Sequence, residues 1–226
     1  MSALPSSTAN PSIDIGELRR DYSRQMLLES NVESDPFLQF QHWFAQALEA
    51  QVIEPNAMTL ATVTPEGRPA ARIVLLKGFD ERGFVFYSNF QSRKGREIAQ
   101  NPAAALVFWW GELERQVRIE GSITLVSETE ADAYFQSRPR GSQLGAWVSD
   151  QSQAIADRSI LEERLQHLEQ DYRGASIPRP PHWGGYRVAP IYFEFWQGRS
   201  NRLHDRLCYR HATASDPAWK VERLSP

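Results

Sequence analysis

The sequence has very little cysteine. Cys208 is the one cysteine in 226 residues, which excludes an intrachain disulfide and a metal site built from several cysteines. Because it flanks an apolar run, we expect Cys208 to be a small buried residue rather than a reactive thiol. Long apolar runs are missing as well, since none approaches the ~20 residues that a membrane-spanning helix needs.

An excess of positive charge is also missing. The chain has 25 Lys and Arg against 28 Asp and Glu, a net charge of -3. There is thus no domain-wide positive field for nucleic acid, and any cationic site must be local. The first twelve residues have neither the basic start nor the apolar centre of a signal peptide, so we expect a cytoplasmic protein without a membrane partner.

What the chain does have is enough apolar sequence for one large core. Hydrophobic residues make up 41% of it, with seven tryptophans. We expect residues 1–18 to form a disordered segment, 19–226 to form a single domain, and IGELRRDYSRQ to be a short polar helix. A second helix is predicted over DPFLQFQHWFAQALEAQ, capped by Asp35, with Pro36 in its first turn. Its apolar face comprises Phe37, Phe40, Trp43, Phe44, Ala47 and Leu48.

Alternating sequence then predicts seven or eight strands. AMTLATVT and AARIVLLKGF are typical of a hairpin, and GFVFYSNF, AAALVFWW and RQVRIEGSITLV of further strands, with three more after residue 185. A short helix is expected in SRKGREIAQNP, and another after a capping box formed by Ser127 and Glu130. PRGSQLGAWVSDQS is predicted to be a loop, followed by a long helix from Gln151 to Tyr172. The pattern indicates a mainly β fold, an antiparallel barrel or sandwich with flanking helices.

Four basic spots interrupt this pattern, and the first lies where a helix begins. A strand ends at Tyr87 and Ser88, and Arg93 and Lys94 follow at the next helix start. Two cations there oppose the helix dipole unless an anion is present, which favours a phosphate site. The alternative is that both side chains are merely solvated.

The second and third spots lie in strands. Alternation is expected to put Arg72 and Lys77 on opposite faces, with Val74 and Leu76 on the face of Arg72. These cations and the strand edge are suited to a planar ring with a phosphate tail, although two strand-end charges that reach solvent are the favoured alternative when the segment is read in isolation. Gln116 is a candidate because an amide can donate to and accept from the edge of a heterocycle.

The fourth spot follows a helix end. Tyr134 and Arg138 are four residues apart and share a face, and Ser142 comes after the turn, so the three can form an oxyanion site. A cation that complements the helix C-terminus is an adequate alternative. Gln151 and Ser152 are expected to supply further donors where the next helix starts.

The segment GRSNRLHDR has the highest density of cations. On an extended chain Arg202, His204 and Arg206 point the same way, with Trp196 as a flat wall beside them. Salt bridges to Asp205 and Glu194 are the alternative. Together, the basic spots suggest two phosphates and a flat ring in one cleft.

These segments resemble the pyridoxine/pyridoxamine 5′-phosphate oxidase family. The matching motifs run in order from about residue 19 to the C-terminus, and include RRDY, RIVLLK, ERQVR, SRPR-x-SQ-x-GAWVS, EFWQG, RLHDR and WKVERLSP. The resemblance implies a homodimer of FMN-binding split β-barrels, with FMN held between the subunits. It also implies oxidation of pyridoxamine or pyridoxine 5′-phosphate to pyridoxal 5′-phosphate, with dioxygen reduced to hydrogen peroxide.

The resemblance also assigns roles by position. FMN would be bound by Arg72, Ile73, Val74, Leu75, Leu76, Lys77, Tyr87, Ser88, Arg93, Lys94, Gln116, Gln151, Ser152, Trp196 and Arg206. The substrate would be bound by Lys77, Tyr134, Arg138 and Ser142 at its phosphate and by Arg202, Leu203 and His204 at its ring, with Arg19, Arg20, Asp21 and Tyr22 as a cover. Arg202 and His204 are the expected catalytic residues, and no metal is expected.

Rival functions would need only part of this set. A flavin oxidase or reductase of the same fold acting on another ring compound would not need the substrate-phosphate residues. A module that binds FMN, haem or pyridoxal phosphate without turnover would tolerate the loss of Arg202 and His204. A purely structural barrel would leave the cations in strand-like sequence unexplained. All the residues are present, which favours the oxidase.

Overall fold

One antiparallel sheet dominates the computed structural model, which describes residues 21–22, 26–211 and 218–226. The strands are β1 (Ala57–Val63), β2 (Pro69–Leu75), β3 (Gly78–Asp80), β4 (Gly83–Asn89), β5 (Ala103–Trp110), β6 (Arg115–Leu125), β7 (Trp183–Gln197), β8 (Asp205–His211) and β9 (Trp219–Arg223). They pair in the order β2-β1-β5-β6-β7-β4-β3, and β8 adds to β7 and then β9 to β8. The predicted mainly β fold with flanking helices is confirmed.

The long strand β7 curves the sheet into a half-barrel. Along one edge it pairs with β6 throughout; along the other its first half pairs with β4 and its second half with β8. A bulge at Glu120 and Gly121 shifts the β6–β7 register, and bulges bend strands. Beyond β2, the amide of Lys77 donates to the carbonyl of Val85 in β4 at 2.8 Å, which draws the two ends of the sheet together.

Helices flank the sheet, and α1 plugs its concave side. The α-helices are α1 (Pro36–Glu49), α2 (Arg93–Gln100), α3 (Glu128–Ser137), α4 (Arg140–Val148) and α5 (Ser159–Asp171). Asp35 caps α1 by accepting from the Phe37 amide at 2.8 Å, as predicted. Phe40 is fully buried and meets Phe84 and Phe108 at ring-centroid distances of 4.9 and 5.1 Å. Burial of one such side chain contributes about 1.5–3 kcal/mol.

Other parts of α1 and of the core were predicted with mixed success. Leu48 was expected on the apolar face of α1 but is 56% exposed, whereas its neighbour Ala47 is fully buried and marks the face that packs on the core. Cys208 is buried, as expected, and burial raises the pKa of its thiol. No helix among the described residues is long and apolar enough to cross a membrane.

The region between Arg138 and Tyr172 differs from the prediction. The expected loop after Pro139 is the helix α4, whose Leu144 packs with Phe135 and Trp183 in a second apolar cluster. The following helix, α5, begins only at Ser159, and none of its residues is buried. Gln151 therefore lies in a turn between helices rather than at a helix start.

The capping box before α3 is only half formed. The Ser127 hydroxyl accepts from the Glu130 amide at 3.2 Å, as predicted. The Glu130 carboxylate does not return to the cap; it pairs with Arg187 of β7 at 2.8 Å. The sheet has thus taken over a side chain that a local pattern assigned to the helix. The expected disordered segment over residues 1–18 and most of the polar helix over residues 15–25 lie outside the described residues.

Candidate active site

A cleft of about 550 Å³ opens between β2, the end of β4 and the helices α2 to α4. Its walls combine cations, hydroxyls and aromatic rings. The lining residues are Arg72, Ile73, Val74, Leu75, Lys77, Tyr87, Ser88, Lys94, Tyr134, Arg138, Pro139, Ser142, Gln151 and Trp183. Three of the four basic spots of the sequence, together with Gln151, therefore meet in one place.

At one end of the cleft, the start of α2 faces the turn before α5. Lys94 Nζ donates to Gln151 Oε1 at 2.7 Å and to Ser88 Oγ at 3.2 Å. The Arg93 amide donates to Ser152 Oγ at 3.2 Å. Burial lowers the pKa of Lys94, and the nearby Arg72 lowers it further. Cations gathered at a helix N-terminus are suited to an anion that offsets both the burial and the dipole.

Behind this corner lies a buried carboxylate, Glu97, one turn along α2. Its Oε2 accepts from Arg72 Nη2 at 2.9 Å and from the Thr62 hydroxyl at 2.5 Å, and its Oε1 accepts from Arg93 Nε at 2.8 Å. Arg72 Nη1 also donates to the Thr62 hydroxyl at 2.5 Å. Burial alone would raise the pKa of Glu97, but these donors lower it below the usual value, so it is ionised.

The opposite end of the cleft is built on aromatic rings. Tyr87 stacks on Tyr134 at a centroid distance of 3.8 Å, and the guanidinium carbon of Arg138 lies 4.4 Å from the centre of the Trp183 ring. Burial lowers the pKa of Arg138 and raises that of Tyr134.

Arg138 also carries a buried atom that calls for a ligand. Its Nη1 has no hydrogen-bond partner within the described part of the chain. A buried cationic donor without a partner is costly, and an anion in the cleft would satisfy it. Lys77 and Ser142 line the same cleft, so together with Arg138 they can donate hydrogen bonds to a phosphate.

A second group of expected site residues lies elsewhere, in one row across the sheet. Trp109 of β5 pairs with Gln116 of β6, Gln116 with Trp196 of β7, and Trp196 with Arg206 of β8. Trp109 is 53% exposed, which is unusual for a tryptophan in a central strand. Gln116, Trp196 and Arg206 therefore share one face, and none of them lines the cleft.

Arg206 in this row is already held by an acidic partner. Its Nε donates to Glu194 Oε1 at 2.9 Å, while Arg118 donates to Glu194 Oε2 at 3.0 Å. The salt-bridge interpretation of the segment GRSNRLHDR is thus correct for this pair. Asp205 pairs with Arg199 of the same segment at 3.7 Å and with Arg223 of β9 at 2.8 Å.

The segment from Arg199 to His204 is a turn rather than an extended strand, which corrects the prediction. Ser200–Arg202 forms a 3-10 turn, and Arg202 has φ 59°, a left-handed conformation that non-glycine residues adopt at a cost of about 1–3 kcal/mol. The simple alternation of Arg202, His204 and Arg206 therefore does not hold. Arg202 and Leu203 are exposed.

His204 is packed between aromatic rings at the end of the row. Its ring lies 4.6 Å from that of Trp196 and 5.8 Å from that of Tyr22. The Arg199 amide donates to His204 Nδ1 at 3.1 Å, so a neutral His204 carries its proton on Nε2. Burial and Arg202 lower the pKa of His204 below its ordinary value.

The remaining expectations divide into corrections and gaps. Arg72 and Lys77 were expected on opposite faces, but both line the cleft, because β2 ends at Leu75 and the alternation ends with it. Leu76 is buried in the core and does not line the cleft. Arg19 and Arg20 lie outside the described residues, and Asp21 is exposed beside Tyr22.

Several residues of the site escaped the sequence prediction. Trp183 and Pro139 line the cleft, and Trp109 completes the row, although each looks like ordinary core or turn sequence. Glu97 carried a detectable signal, since it stands four residues after Arg93 on a predicted helix and can pair with it. Thr62 gave none, because its role depends on pairing between β1 and β2.

Two solved structures share this architecture. PhzG from Burkholderia lata 383, in complex with tetrahydrophenazine-1-carboxylic acid, is 34% identical and superposes with a TM-score of 0.83 over 90% of this chain and 100% of its own. A pyridoxamine 5′-phosphate oxidase-related, FMN binding protein from Nostoc punctiforme PCC 73102 has a TM-score of 0.66 at 22% identity, over 83% of this chain and 97% of its own. Fold and cleft together define a split-barrel protein with a cleft lined by cations, hydroxyls and aromatic rings.

The sequence comparisons narrow this class to one family. A family model described as pyridoxamine 5′-phosphate oxidase matches residues 44–171, and one described as the pyridoxine 5′-phosphate oxidase C-terminal dimerisation region matches residues 183–226. The pyridoxine/pyridoxamine 5′-phosphate oxidase of Acaryochloris marina is 66% identical over 94% of this chain and 95% of its own length. The chain belongs to the pyridoxamine 5′-phosphate oxidase family.

Proposed function

We propose that this protein is an FMN-dependent oxidase that converts pyridoxamine 5′-phosphate and pyridoxine 5′-phosphate to pyridoxal 5′-phosphate. Dioxygen accepts two electrons and two protons to give hydrogen peroxide; the amine substrate also takes up water and releases ammonia. The observation that carries the proposal is the buried Nη1 of Arg138, which has no partner among the residues that the structure describes, in a cleft that has a second cationic corner at Lys94. A relative at 66% identity is named pyridoxine/pyridoxamine 5′-phosphate oxidase.

The two ends of the cleft fit the two phosphates of cofactor and substrate. Arg72, Lys94 and the start of α2, with Ser88, Gln151 and Ser152, form the corner suited to the FMN phosphate. The strand edge at Ile73–Leu75 and the ring of Tyr87 border the space beside it.

The substrate phosphate is assigned to the other end. Lys77, Tyr134, Arg138 and Ser142 would hold it, with Arg138 braced on the Trp183 ring. A guanidinium fixed by stacking loses less rotamer freedom on binding than a solvated one. The proposal therefore gives each phosphate its own cationic group.

When bound, FMN supplies the two-electron chemistry, and the protein positions the substrate against it. His204 is suited to be a hydrogen-bond donor to the substrate rather than a base, because its Nδ1 accepts from the Arg199 amide and its Nε2 carries the proton. Its lowered pKa keeps the ring neutral near pH 7. Tyr22 contacts the imidazole edge-on, Trp196 lies tilted against it, and Arg202 adds positive charge beside it.

A second copy of the chain would complete the site. Within one chain the cleft lacks Gln116, Trp196 and Arg206, which stand on a sheet face with an exposed Trp109. An exposed apolar and cationic face of this kind is suited to bury against a twofold-related copy, and residues 183–226 match a dimerisation region. We therefore propose a homodimer with FMN between the subunits, in the cytoplasm as expected from the sequence.

The rival function with another ring substrate is less well supported. Such an enzyme would keep the corner at Lys94 but would have no use for a phosphate site at Arg138, Tyr134 and Ser142. These three side chains converge in the cleft, and the buried Arg138 would be left without an anion.

Steady-state assays would test the proposal. The FMN-loaded protein should form pyridoxal 5′-phosphate and hydrogen peroxide in equal amounts from either phosphorylated substrate. The same substrates without phosphate should react poorly, because they leave Arg138 unpaired. Equal activity on phosphorylated and unphosphorylated substrates, or no aldehyde product, would contradict it.

A further inference from the structure

The contacts of Glu97 present a puzzle at the cationic corner. A buried carboxylate lies within hydrogen-bond distance of Arg72 and Arg93, at the place suited to the FMN phosphate. Its side chain is 5% exposed, whereas that of Arg93 is 62% exposed. A negative charge there repels a phosphate, so its electrostatic effect alone would weaken FMN binding.

The geometry resolves the puzzle through the donors of Arg72. A guanidinium has five N–H donors. Three of the Arg72 donors reach the Leu60 carbonyl, the Thr62 hydroxyl and the Glu97 carboxylate. Within the described part of the chain, the other two N–H groups have no acceptor and are available to a ligand. The side chain is thus fixed in one orientation on the edge strand β2, where it would otherwise be free to move.

Glu97 also fixes the orientation of Arg93, through its second carboxylate oxygen. Arg93 is four residues earlier on α2, and its Nε donates to Glu97 Oε1, the oxygen that Arg72 does not use. Thr62 completes the arrangement, since its hydroxyl donates to Glu97 and accepts from Arg72. One carboxylate and one hydroxyl therefore couple strand β1, strand β2 and helix α2.

We infer that Glu97 is a positioning residue for phosphate recognition, which orients Arg72 and Arg93 toward the phosphate of FMN, with Thr62 as its partner. The inference rests on the proposed FMN site. It predicts that loss of the carboxylate weakens FMN binding even though a repelling charge is removed. If orientation dominates, loss of the carboxylate raises the Kd of FMN; if charge repulsion dominates, the loss lowers it.

The test compares FMN with riboflavin, which has the same ring but no phosphate, by titrating each into apoprotein and following flavin fluorescence. Glu97→Gln removes the charge and one acceptor; Thr62→Val removes the hydroxyl at nearly constant volume and leaves the charge. We expect both variants to raise the Kd of FMN about tenfold, the effect of a lost charge-assisted hydrogen bond, and to leave the Kd of riboflavin unchanged.

Glu162→Gln is the matched control. Glu162 also pairs with an arginine one turn earlier, Arg158, but on the exposed helix α5 away from the cleft. It should leave both dissociation constants unchanged. Thermal unfolding of each apoprotein tests for a purely structural role of Glu97. In that case Glu97→Gln would lower the unfolding temperature and raise the Kd of FMN and that of riboflavin equally.

The outcomes separate the inference from the proposed function. If the unmodified protein binds FMN no more tightly than riboflavin, the phosphate corner and the proposed function fail. If it prefers FMN and both variants keep that preference, or Glu97→Gln binds FMN more tightly, only the inference is overturned. Should Glu97→Gln not fold, Thr62→Val decides the question alone.

Discussion

At the scale of single residues, Arg138 distinguishes this site from a general flavin pocket. It is partly buried, lies over Trp183, and has a donor atom with no partner among the described residues. Burial lowers its pKa, which is the expected result when a cation lacks a counter-ion. An anion in the cleft would satisfy this donor, and we propose that the substrate phosphate supplies it.

Replacing Arg138 should therefore affect the substrate and not the flavin. We expect Arg138→Ala to raise KM for pyridoxamine 5′-phosphate about 10- to 150-fold, which corresponds to about 1.5–3 kcal/mol for a charge-assisted contact. The Kd of FMN should not change. Arg140→Ala is the control, since Arg140 bonds the backbone of Tyr172 and Ala175. An unchanged KM in Arg138→Ala would contradict the assignment.

His204 allows a prediction about pH. Burial and the positive charge of Arg202 lower the pKa of its imidazole, so His204 gains a proton only below its ordinary value of 6.5. We expect kcat/KM to be constant above neutrality and to fall on the acid side, because a proton on His204 Nδ1 removes the acceptor for the Arg199 amide that orients the ring. Arg202→Ala removes one cause of the shift, so its acid limb should move to higher pH, while FMN stays bound.

Titration of the His204 ring by NMR would check this directly. The His204→Ala variant identifies the resonance and should itself keep the yellow flavin but turn over slowly. A pKa of the His204 imidazole at or above 6.5 would contradict the lowered pKa. A pKa that is the same in Arg202→Ala would show that Arg202 does not act on His204.

At the scale of elements, local sequence predicted the strands, α1 and the later part of the helix before Tyr172, and failed between Pro139 and Arg158. Periodicity and the Asp35 cap were sufficient for α1. The segment after Pro139 was predicted to be a loop because it contains glycine and polar residues. It folds as α4 because Leu144 and Ala146 pack against residues distant in sequence, and tertiary packing overrides propensity.

The candidate site was predictable to a similar degree. The four basic spots were found from residue type and position, and the family resemblance gave their roles. Pairing across strands was out of reach, so Thr62 and Trp109 went unnoticed. The turn at Arg202 was also missed, because Arg202 adopts a left-handed backbone that the sequence does not signal with a glycine.

The bulge that curves β6 against β7 gives a prediction for this scale. A Cβ on Gly121 would lie 2.1 Å from the Ala189 carbonyl oxygen, so one of the two strands would have to shift. We expect Gly121→Ala to lower the free energy of unfolding by about 1–3 kcal/mol, the usual cost of overpacking.

Gly141→Ala is the matched control for this substitution. A Cβ at Gly141, in the first turn of α4, meets nothing within 4 Å. It should raise stability by up to ~1 kcal/mol, since alanine favours the helix. Urea unfolding of the three proteins measures both effects, and equal midpoints would contradict this role of Gly121.

At the scale of the whole molecule, the site is proposed to be shared between two chains. The cleft with Arg138 and the row of Gln116, Trp196 and Arg206, against which His204 packs, are on different parts of one chain. The C-terminal residues match a dimerisation region. Arg138→Ala and His204→Ala homodimers should therefore both be nearly inactive. A heterodimer has one site with both defects and one with neither.

Purified heterodimers, isolated with two different affinity tags, should recover about half of the unmodified activity per dimer, because one of two symmetric sites is intact. A heterodimer as inactive as its parents would place Arg138 and His204 in the same site of one chain. Size-exclusion chromatography with light scattering checks that each preparation is dimeric.

The most direct measurement is an anaerobic mixture of the FMN-loaded protein with pyridoxamine 5′-phosphate, followed by the flavin absorbance. The family assignment and the two-phosphate cleft predict that the yellow absorbance bleaches, returns when air is admitted, and leaves pyridoxal 5′-phosphate in solution. A flavin that stays oxidised with this substrate and with pyridoxine 5′-phosphate would contradict the proposed oxidase activity.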